Sequence, residues 1–432
     1  MIQEETEDLV ALDEKYVIKS WSRKSNAPVV VGGKGIYFWD SAGKRHMDFA
    51  SQLVNVNVGF GHPKIIGAIK KQAEDLAYVS GVYRSVPAIK LAKRLSEIVP
   101  PNLIKTFFTT SGGTAVESAL KIARQYTKRT KVVSMYTSYH GSTLGSLGAT
   151  GIAHAKTPFE PLLPGFIHVP PPDSRHPPFG NEGQNIGEQC AAYIEKVIKW
   201  EGPETVSAFV AEPIISNQFL VPPSTFWPRI REICDKYGVL LIFDEVLTGY
   251  GRTGKMFACN HYDTSPDILV TGKGITSGYL PLSAVTVSKE LGEFLDHNPY
   301  VHGFTYAAHP LCCAAGLAGI QVVLEENLIQ NSAQVGAYLL KRLRELSSSH
   351  ESIEDARGIG LLNGLEMSEK KIATYVRTHA SEEGLEIGFA PSFAPSILRI
   401  VPPLCVTSGE VDAAISILEK VLRSADEEGI AP

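Results

Sequence analysis

Residues 239–246 have the sequence VLLIFDEV, an apolar run that ends in two acids. Short apolar runs of the same kind alternate with helical patterns over roughly residues 105–290. The runs are KTFFTTSG (105–112), KVVSMYTS (131–138), SAFVAEPII (207–215), DILVTG (267–272) and SAVTVS (283–288), and the helical patterns are TAVESALKIARQYT (114–127) and STFWPRIREICDKYG (224–238). This alternation predicts an α/β fold in which helices cover both faces of a mostly parallel sheet.

The chain has 432 residues, which is too long for one hydrophobic core and predicts two domains. We expect a large domain at 56–327 that ends in the apolar stretch HPLCCAAGLAGIQVVLEEN. Beyond it, long amphipathic helices flank the strand candidates GLLNGLEM and ILRIVPPL, which predicts a smaller C-terminal α/β domain at 328–432. The N-terminal segment 1–55 contains a hairpin candidate, GIYFWDSAGKRHMDF, and is expected to pack with the small domain.

Composition excludes several classes of protein. Lys and Arg number 41 against 46 Asp and Glu, so bulk charge favours neither nucleic acid nor an anionic membrane. The uncharged apolar stretch at 311–324 is too short to span a bilayer. The six cysteines show neither CxxC pairs nor zinc spacing, which predicts reduced thiols and no metal site. The first ten residues carry four acids and no base, so we expect no leader peptide and a cytoplasmic location.

A small-residue turn joins the strand candidate at 105–109 to the helix that follows it. The turn contains Ser111, Gly112 and Gly113. Free backbone N–H groups at a helix N-terminus favour a phosphate group. An ordinary strand-to-helix turn would have the same composition, so the turn alone leaves both interpretations open.

Three further side chains stand at strand ends, where open α/β sheets bind ligands. Asp244 ends VLLIFDEV, Lys273 follows DILVTG among small residues, and Tyr139 follows KVVSMYTS. Each has an ordinary alternative: a loop-capping acid, a solvated lysine or a core aromatic. Together with the phosphate-binding turn they supply a carboxylate for a heterocyclic nitrogen, an imine-forming amine and a stacking ring. Pyridoxal 5′-phosphate (PLP) is the cofactor that requires all four.

Seven segments, in this order and wording, resemble the class III (ω-type) aminotransferases of PLP fold type I. They are FFTTSGGTAVESALKIAR, SYHGSTLGSLGATG, FVAEPI, IFDEVLTGYGRTGKMFA, PDILVTGKGITSGYLPLSAV, HGFTYAAHP and RIVPPL. The resemblance runs from about residue 30 to the C-terminus. It implies a large domain with a seven-stranded, mostly parallel sheet, a small α/β domain, and ping-pong transfer of an amino group from a donor to a keto acid.

The resemblance also implies roles for individual residues. Lys273 would form the Schiff base and shuttle the proton, and Asp244 would pair with the pyridine nitrogen. Val246 and Tyr139 would pack on the two faces of the ring, with Glu212 nearby. Ser111, Gly112 and Gly113 would hold the phosphate, helped by Thr305 from the other subunit of a homodimer with shared active sites.

Departures from the family pattern concern the substrate. Leu247 stands where many members have Gln, and Asn217 stands where members that accept both amino acids and amines have an acid. That acid masks an arginine, which here is Arg399. The pair Ser216-Asn217 resembles dialkylglycine decarboxylase, whose site glutamine has only an approximate counterpart in Gln52. A decarboxylating transaminase is therefore the alternative activity, and we expect pocket walls from 52–54, 78–84 and 389–396.

Two hypotheses come from other classes of protein. The sequence GYGRTG (249–254) matches the GxGxxG pattern of NAD-dependent dehydrogenases. The residues after it have no helical period, so a helix N-terminus for the pyrophosphate is not predicted. A non-catalytic PLP-binding protein is the other possibility, and the presence of both Lys273 and Asp244 argues against it.

Overall fold

The computed structural model describes residues 2–20, 27–180, 185–390 and 393–430. Fourteen strands lie in these ranges: β1 Val30–Lys34, β2 Tyr37–Asp40, β3 Arg45–Phe49, β4 Leu103–Thr109, β5 Lys131–Met135, β6 Phe166–Val169, β7 Val206–Ala211, β8 Leu240–Glu245, β9 Ile268–Thr271, β10 Ser283–Ser288, β11 Ile353–Ile359, β12 Leu362–Met367, β13 Leu385–Ala390 and β14 Ala394–Ile400.

The same ranges contain fourteen helices: α1 Ile2–Tyr16, α2 Ser51–Val54, α3 Pro63–Asp75, α4 Val86–Ile98, α5 Gly112–Thr127, α6 Leu144–Ala149, α7 Ala153–Lys156, α8 Ile186–Glu201, α9 Phe226–Tyr237, α10 Lys289–His297, α11 Pro310–Glu325, α12 Leu328–Ser349, α13 Lys370–Glu382 and α14 Ser408–Glu427. Short 3₁₀ turns lie at Thr157–Phe159, Pro203–Thr205, Ala258–His261 and Lys273–Ile275.

A seven-stranded sheet of order β4-β10-β9-β8-β7-β5-β6 forms the centre of the larger part of the fold. Its strands from β9 to β6 are parallel, while β10 runs antiparallel to both β9 and β4. Alternate residues of the parallel strands enter two separate hydrophobic cores, one of which contains α5. This two-sided burial explains the continuous apolar runs in the sequence. The predicted α/β fold with a mostly parallel sheet is confirmed.

A second seven-stranded sheet has the order β1-β2-β3-β13-β14-β12-β11. It joins N-terminal and C-terminal segments, because β3 pairs in parallel with β13. The sequence indicated only β12 and β14 among its C-terminal strands. The alternation of β11 is interrupted by a register shift between Ile353 and Asp355, so a period-two pattern does not mark this strand. The residue bounds of the domains stay a prediction.

The cysteines and the long apolar helices remain to be placed in the fold. All six cysteines are free, and five of them are buried. Within the described ranges no single helix is long and apolar enough to cross a bilayer, although α11 and α12, bent by 61° at their junction, pass that test as a pair.

Candidate active site

Asp244 and Lys273 lie at the same edge of the central sheet. Asp244 is the penultimate residue of β8 and Lys273 follows β9, and the two strands pair in parallel with Asp244 opposite Val270. Carboxyl ends of parallel strands meet at one edge, so the two side chains enter the same crevice. Coulombic coupling of Lys273 to both Asp244 and Glu212 reflects this proximity.

The two acids at the end of β8 face opposite sides of the sheet. Leu240 and Ile242 belong to the core that contains α5, whereas Leu241 and Phe243 belong to the other core. Side chains alternate along a strand, so Asp244 points towards α5. Glu245 points the other way and accepts hydrogen bonds from the N–H groups of Ala258 and Cys259 and from the Thr248 hydroxyl. Glu245 is thus a structural acid, and Asp244 is the one that faces the site.

His140 is the partner of Asp244. Its Nδ1 lies 2.8 Å from Oδ2 of Asp244, and both side chains are buried. The other carboxylate oxygen, Oδ1, accepts the N–H of Val246 at 3.1 Å. The buried Nε2 of His140 has no hydrogen-bond partner among the described residues. The sequence analysis assigned no role to His140, although its position beside Tyr139 at a strand end was a usable signal.

Lys273 occupies a strained and buried position. Its φ of +40° lies in the left-handed region, which costs a non-glycine residue free energy and is typical of functional sites. Burial, assisted by the positive charge of Arg399, lowers the pKa of Lys273 to about 8, against the opposing effect of Glu212 and Asp244. The amine is therefore neutral in a larger fraction of molecules at neutral pH than a surface lysine is, and the neutral amine is the nucleophile.

The turn before α5 is shaped to approach a ligand closely. Ser111 is the N-cap of this 16-residue helix, and its side chain accepts the N–H of Thr114. A Cβ added at Gly112 would stand 2.8 Å from Cγ1 of Val246, and one at Gly113 would stand 3.4 Å from the Ser146 hydroxyl. A side chain is thus excluded at Gly112, and the first N–H groups of the helix remain available for an anion.

Glu212 follows β7 and connects the aromatic residue to the next loop. Its carboxylate accepts the N–H of Tyr139 at 3.0 Å and both the N–H and the hydroxyl of Ser216. Burial raises the pKa of Glu212, and the nearby Asp244 adds to the effect while His140 opposes it. The Tyr139 ring itself lies 5.6 Å from the Phe393 ring, and its hydroxyl pairs with Ser142.

Arg399 and Asn217 contact each other as the resemblance implies. One terminal nitrogen of Arg399 donates to Oδ1 of Asn217 at 2.6 Å, while Nε is buried and has no hydrogen-bond partner within the part of the chain that the structure describes. Burial lowers the pKa of Arg399 to about 10 against the effect of Glu212, so the guanidinium remains charged at neutral pH. Nδ2 of Asn217 donates to the Thr137 carbonyl at 3.4 Å.

Gln52 and Thr305 have contacts of their own outside this cluster. The Gln52 side chain donates to Asp48 at 3.0 Å, and φ is positive at Gln52 and at its neighbours Ser51 and Val54. Thr305 is exposed, and its carbonyl accepts the hydroxyl of Tyr78. Of the expected pocket walls, residues 391–392 and the side chains of 389–390 lie outside the described part of the chain.

Arg252, in the GRTG segment, is a buried residue that the sequence analysis did not single out. It donates to the carbonyls of Leu361 and Pro402 and to the side chains of Ser51 and Asn57. These bonds tie the central sheet to the second sheet and to the strained residues 51–54. A 3₁₀ turn at Ala258–His261 is the first helical element after GYGRTG, so no helix N-terminus is placed to hold a dinucleotide.

The donor set fits PLP. The site brings together an amine with a lowered pKa, a buried carboxylate held by an imidazole, a helix N-terminus that begins with two glycines, and an aromatic ring. These are Lys273, Asp244 with His140, residues 111–113 and Tyr139. These are the groups that hold the aldehyde, the pyridine nitrogen, the phosphate and the ring face of this cofactor.

The chain belongs to the family "Aminotransferase class-III", whose model matches residues 20–422. It is 34% identical to the diaminobutyrate–2-oxoglutarate transaminase of Halomonas elongata over 92% of this chain and 91% of that protein. A Bacillus anthracis aminotransferase superposes with a TM-score of 0.94 at 37% identity, covering 98% of this chain and 100% of that one. The taurine:2-oxoglutarate aminotransferase of Bifidobacterium kashiwanohense, solved with PLP and glutamate, gives 0.92 at 32% identity and 98% of both chains.

The class of enzyme follows from these matches. This chain is a PLP-dependent transaminase that moves an amino group from an amine or amino acid donor to a keto acid in a ping-pong reaction. The three proteins named above are described as aminotransferases, and they lend no support to the decarboxylating alternative. The dehydrogenase hypothesis is wrong.

Proposed function

We propose that this transaminase prefers substrates that carry a carboxylate, with Lys273 as its catalytic lysine and Arg399 as its carboxylate-binding residue. The supporting observation is the pairing of a buried, charged Arg399 with the neutral Asn217. The amide oxygen of Asn217 accepts one hydrogen bond and does not neutralise the guanidinium. The other N–H groups of Arg399, and its positive charge, therefore remain available to a substrate carboxylate.

Bound PLP supplies an aldehyde that takes the donor amine and a pyridine ring that accepts electrons from the bond that breaks. Ser111, Gly112 and Gly113 would hold its phosphate, with Val246 and Tyr139 against its ring. Asp244 would hold the proton on the pyridine nitrogen, and His140 orients Asp244 through the bond from Nδ1 to Oδ2.

Lys273 moves the proton in both halves of the reaction. Its Nζ, with a pKa of about 8, accepts a proton from the amine-bearing carbon of the donor. Nζ would then give that proton to the aldehyde carbon of the bound cofactor, which completes the first half. In the second half Nζ would take a proton back from this cofactor carbon and donate it to the acceptor carbon that receives the amino group. Arg399 binds the carboxylate in each half, which fixes the carbon that reacts next to Lys273.

The first prediction concerns Arg399→Ala. The kcat/KM for L-alanine in the donor half-reaction should fall about 100-fold, mainly through KM, because a buried charged pair with the substrate is lost. The kcat/KM for isopropylamine, in which a methyl group replaces the carboxylate, should fall far less. Both donors are compared over a pH series, because removing Arg399 also raises the pKa of Lys273.

Arg423→Ala, an exposed arginine at the end of α14, is the control for loss of a positive charge. It should leave kcat/KM unchanged for both donors. Equal losses for L-alanine and isopropylamine in Arg399→Ala would remove the carboxylate-binding role.

We propose in addition that the enzyme is a homodimer with shared active sites. Thr305 lies beside two exposed aromatic residues, Tyr78 and Tyr306, and large apolar side chains close to these in the sequence are exposed as well: Val82, Tyr83, Val86 and Val301. Tyr78 connects this patch to Thr305 through its hydroxyl and to Tyr306 through ring contact at 6.1 Å. An exposed apolar patch of this kind is typical of a protein interface, and a two-fold axis would bring each Thr305 to the partner's phosphate site.

Subunit mixing tests the shared site. Thr305→Ala should weaken PLP retention in a pure dimer, and Lys273→Ala should be inactive. A hybrid dimer of the two variants contains one site with both replacements and one intact site. Each hybrid dimer should therefore have about half the activity of a wild-type dimer. No recovery after verified subunit exchange, seen by native mass spectrometry of tagged subunits, would contradict the shared site.

A further inference from the structure

A row of three residues crosses the second sheet beside the carboxylate-binding residue. Arg357 on β11 is opposite Gly364 on β12, and Gly364 is opposite Arg399 on β14. Residues directly opposite in antiparallel pairs project from the same face. Arg357 and Arg399 therefore rise from one face of the sheet, with a strand position that has no side chain between them.

Three residues of the loop at 216–220 each contact one residue of this row. Asn217 accepts from Arg399, and the carbonyl of Gln218 accepts from Nε of Arg357 at 2.7 Å. Phe219 occupies the space over Gly364, where an added Cβ would overlap its ring. Phe219 has a φ of +50°, a conformation that is strained for an aromatic residue and that the surrounding contacts must maintain.

Arg357 is itself held rigidly. Its side chain is nine-tenths buried and donates from one terminal nitrogen to Asp355 at 2.9 Å and to Glu366 at 2.5 Å. Arg175 shares the Glu366 carboxylate at 3.0 Å, but its other bonds go to Asp173. The two arginines thus occupy one ionic cluster, and Arg357 is the member that bonds to the loop carrying Asn217.

We propose that Arg357 is a positioning residue that sets the preference for carboxylate-bearing substrates. Its Nε–H fixes the Gln218 carbonyl, and this places the adjacent Asn217 where it holds Arg399 in one orientation. Without the bond from Arg357 the loop is free to move Asn217, and the guanidinium of Arg399 is no longer held in one orientation. Binding of a substrate carboxylate should weaken more than binding of an uncharged substituent. The proposal rests on the carboxylate-binding role of Arg399 proposed above.

The alternative is that Arg357 only joins the loop to the sheet for stability. Loss of such a tie would lower the melting temperature and affect all donors alike. The two roles are separated by the ratio of kcat/KM for L-alanine to kcat/KM for isopropylamine, because a purely structural tie has no means of distinguishing the two donors.

Arg357→Lys is the main variant, since its single ammonium keeps a positive charge for Asp355 and Glu366 but has no Nε–H to hold the Gln218 carbonyl. The ratio should fall about tenfold, as expected for the loss of one hydrogen bond from a charged donor. Arg175→Lys makes the same chemical change in the same cluster and should leave the ratio unchanged. Absorbance of bound PLP and the melting temperature are recorded for each variant as measures of folding.

Gly364→Ala is the second variant, because its Cβ would overlap the Phe219 ring and displace it from the row. It should also lower the ratio, and it decides the question if Arg357→Lys fails to fold. An unchanged ratio in the folded variant, or an equal fall in Arg175→Lys, overturns the positioning role. Arg399→Ala is measured beside them: if it lowers the ratio and Arg357→Lys does not, this inference alone fails, and if it leaves the ratio unchanged, the proposed carboxylate preference fails with it.

Discussion

Lys273→Ala should abolish the reaction of the PLP-loaded protein with every donor amine, with a loss on the order of 10⁴-fold or more. The structure gives the physical reason: among the contributors to the site, Lys273 supplies the amine whose pKa is lowered to about 8 and which can therefore accept a proton at neutral pH. An alanine leaves no base in its place. The measurement is a stopped-flow record of cofactor absorbance after mixing with L-alanine.

The control for this variant is Lys255→Ala, an exposed lysine that directly follows GRTG. It should react at the wild-type rate. A short primary amine added to the Lys273→Ala protein should restore part of the lost rate, since it supplies a base to the cavity left by the side chain. A Lys273→Ala protein that turns over at the rate of the unsubstituted enzyme would show that another residue moves the proton.

The strand and helix order of the central sheet could be predicted because each apolar run is buried on both faces. The placement of Asp244 and Lys273 at one edge then followed from parallel pairing alone. The strands β11 and β13 could not be predicted in this way. In β11 the register shift breaks the alternation, and Asp355 and Arg357 belong to an ionic cluster that also contains Glu366 on the next strand and the distant Arg175.

The partners of the site residues were likewise beyond the reach of the sequence. His140 is 104 positions from Asp244, and Arg399 is 182 positions from Asn217. A local sequence pattern cannot indicate pairs so far apart. The family resemblance indicated only the pair of Asn217 and Arg399. Gln52 shows the reverse case, because its resemblance to a substrate-binding glutamine did not indicate that Asp48 already holds its amide.

Asp244→Asn should retain PLP in part and lower kcat about 10³-fold, since it removes a preorganised charge and keeps the shape of the side chain. Asn cannot hold the pyridine nitrogen in its protonated form, and it gives His140 a neutral partner in place of a carboxylate. The expected result is a loss of kcat for all donors alike, with little change in the ratio between L-alanine and isopropylamine. Steady-state kinetics and a PLP titration followed by absorbance measure the two effects.

Glu245→Gln is the matched control, because it makes the same chemical change one residue further along β8. Glu245 faces the opposite side of the sheet and accepts the N–H groups of Ala258 and Cys259, for which an amide offers one acceptor atom instead of two. The variant should therefore lose about 1–3 kcal/mol in the free energy of unfolding and keep most of its kcat. If the two substitutions lowered kcat equally, Asp244 would have no special relation to the cofactor, and the alternation of side chains along β8 would not explain which of the two acids is functional.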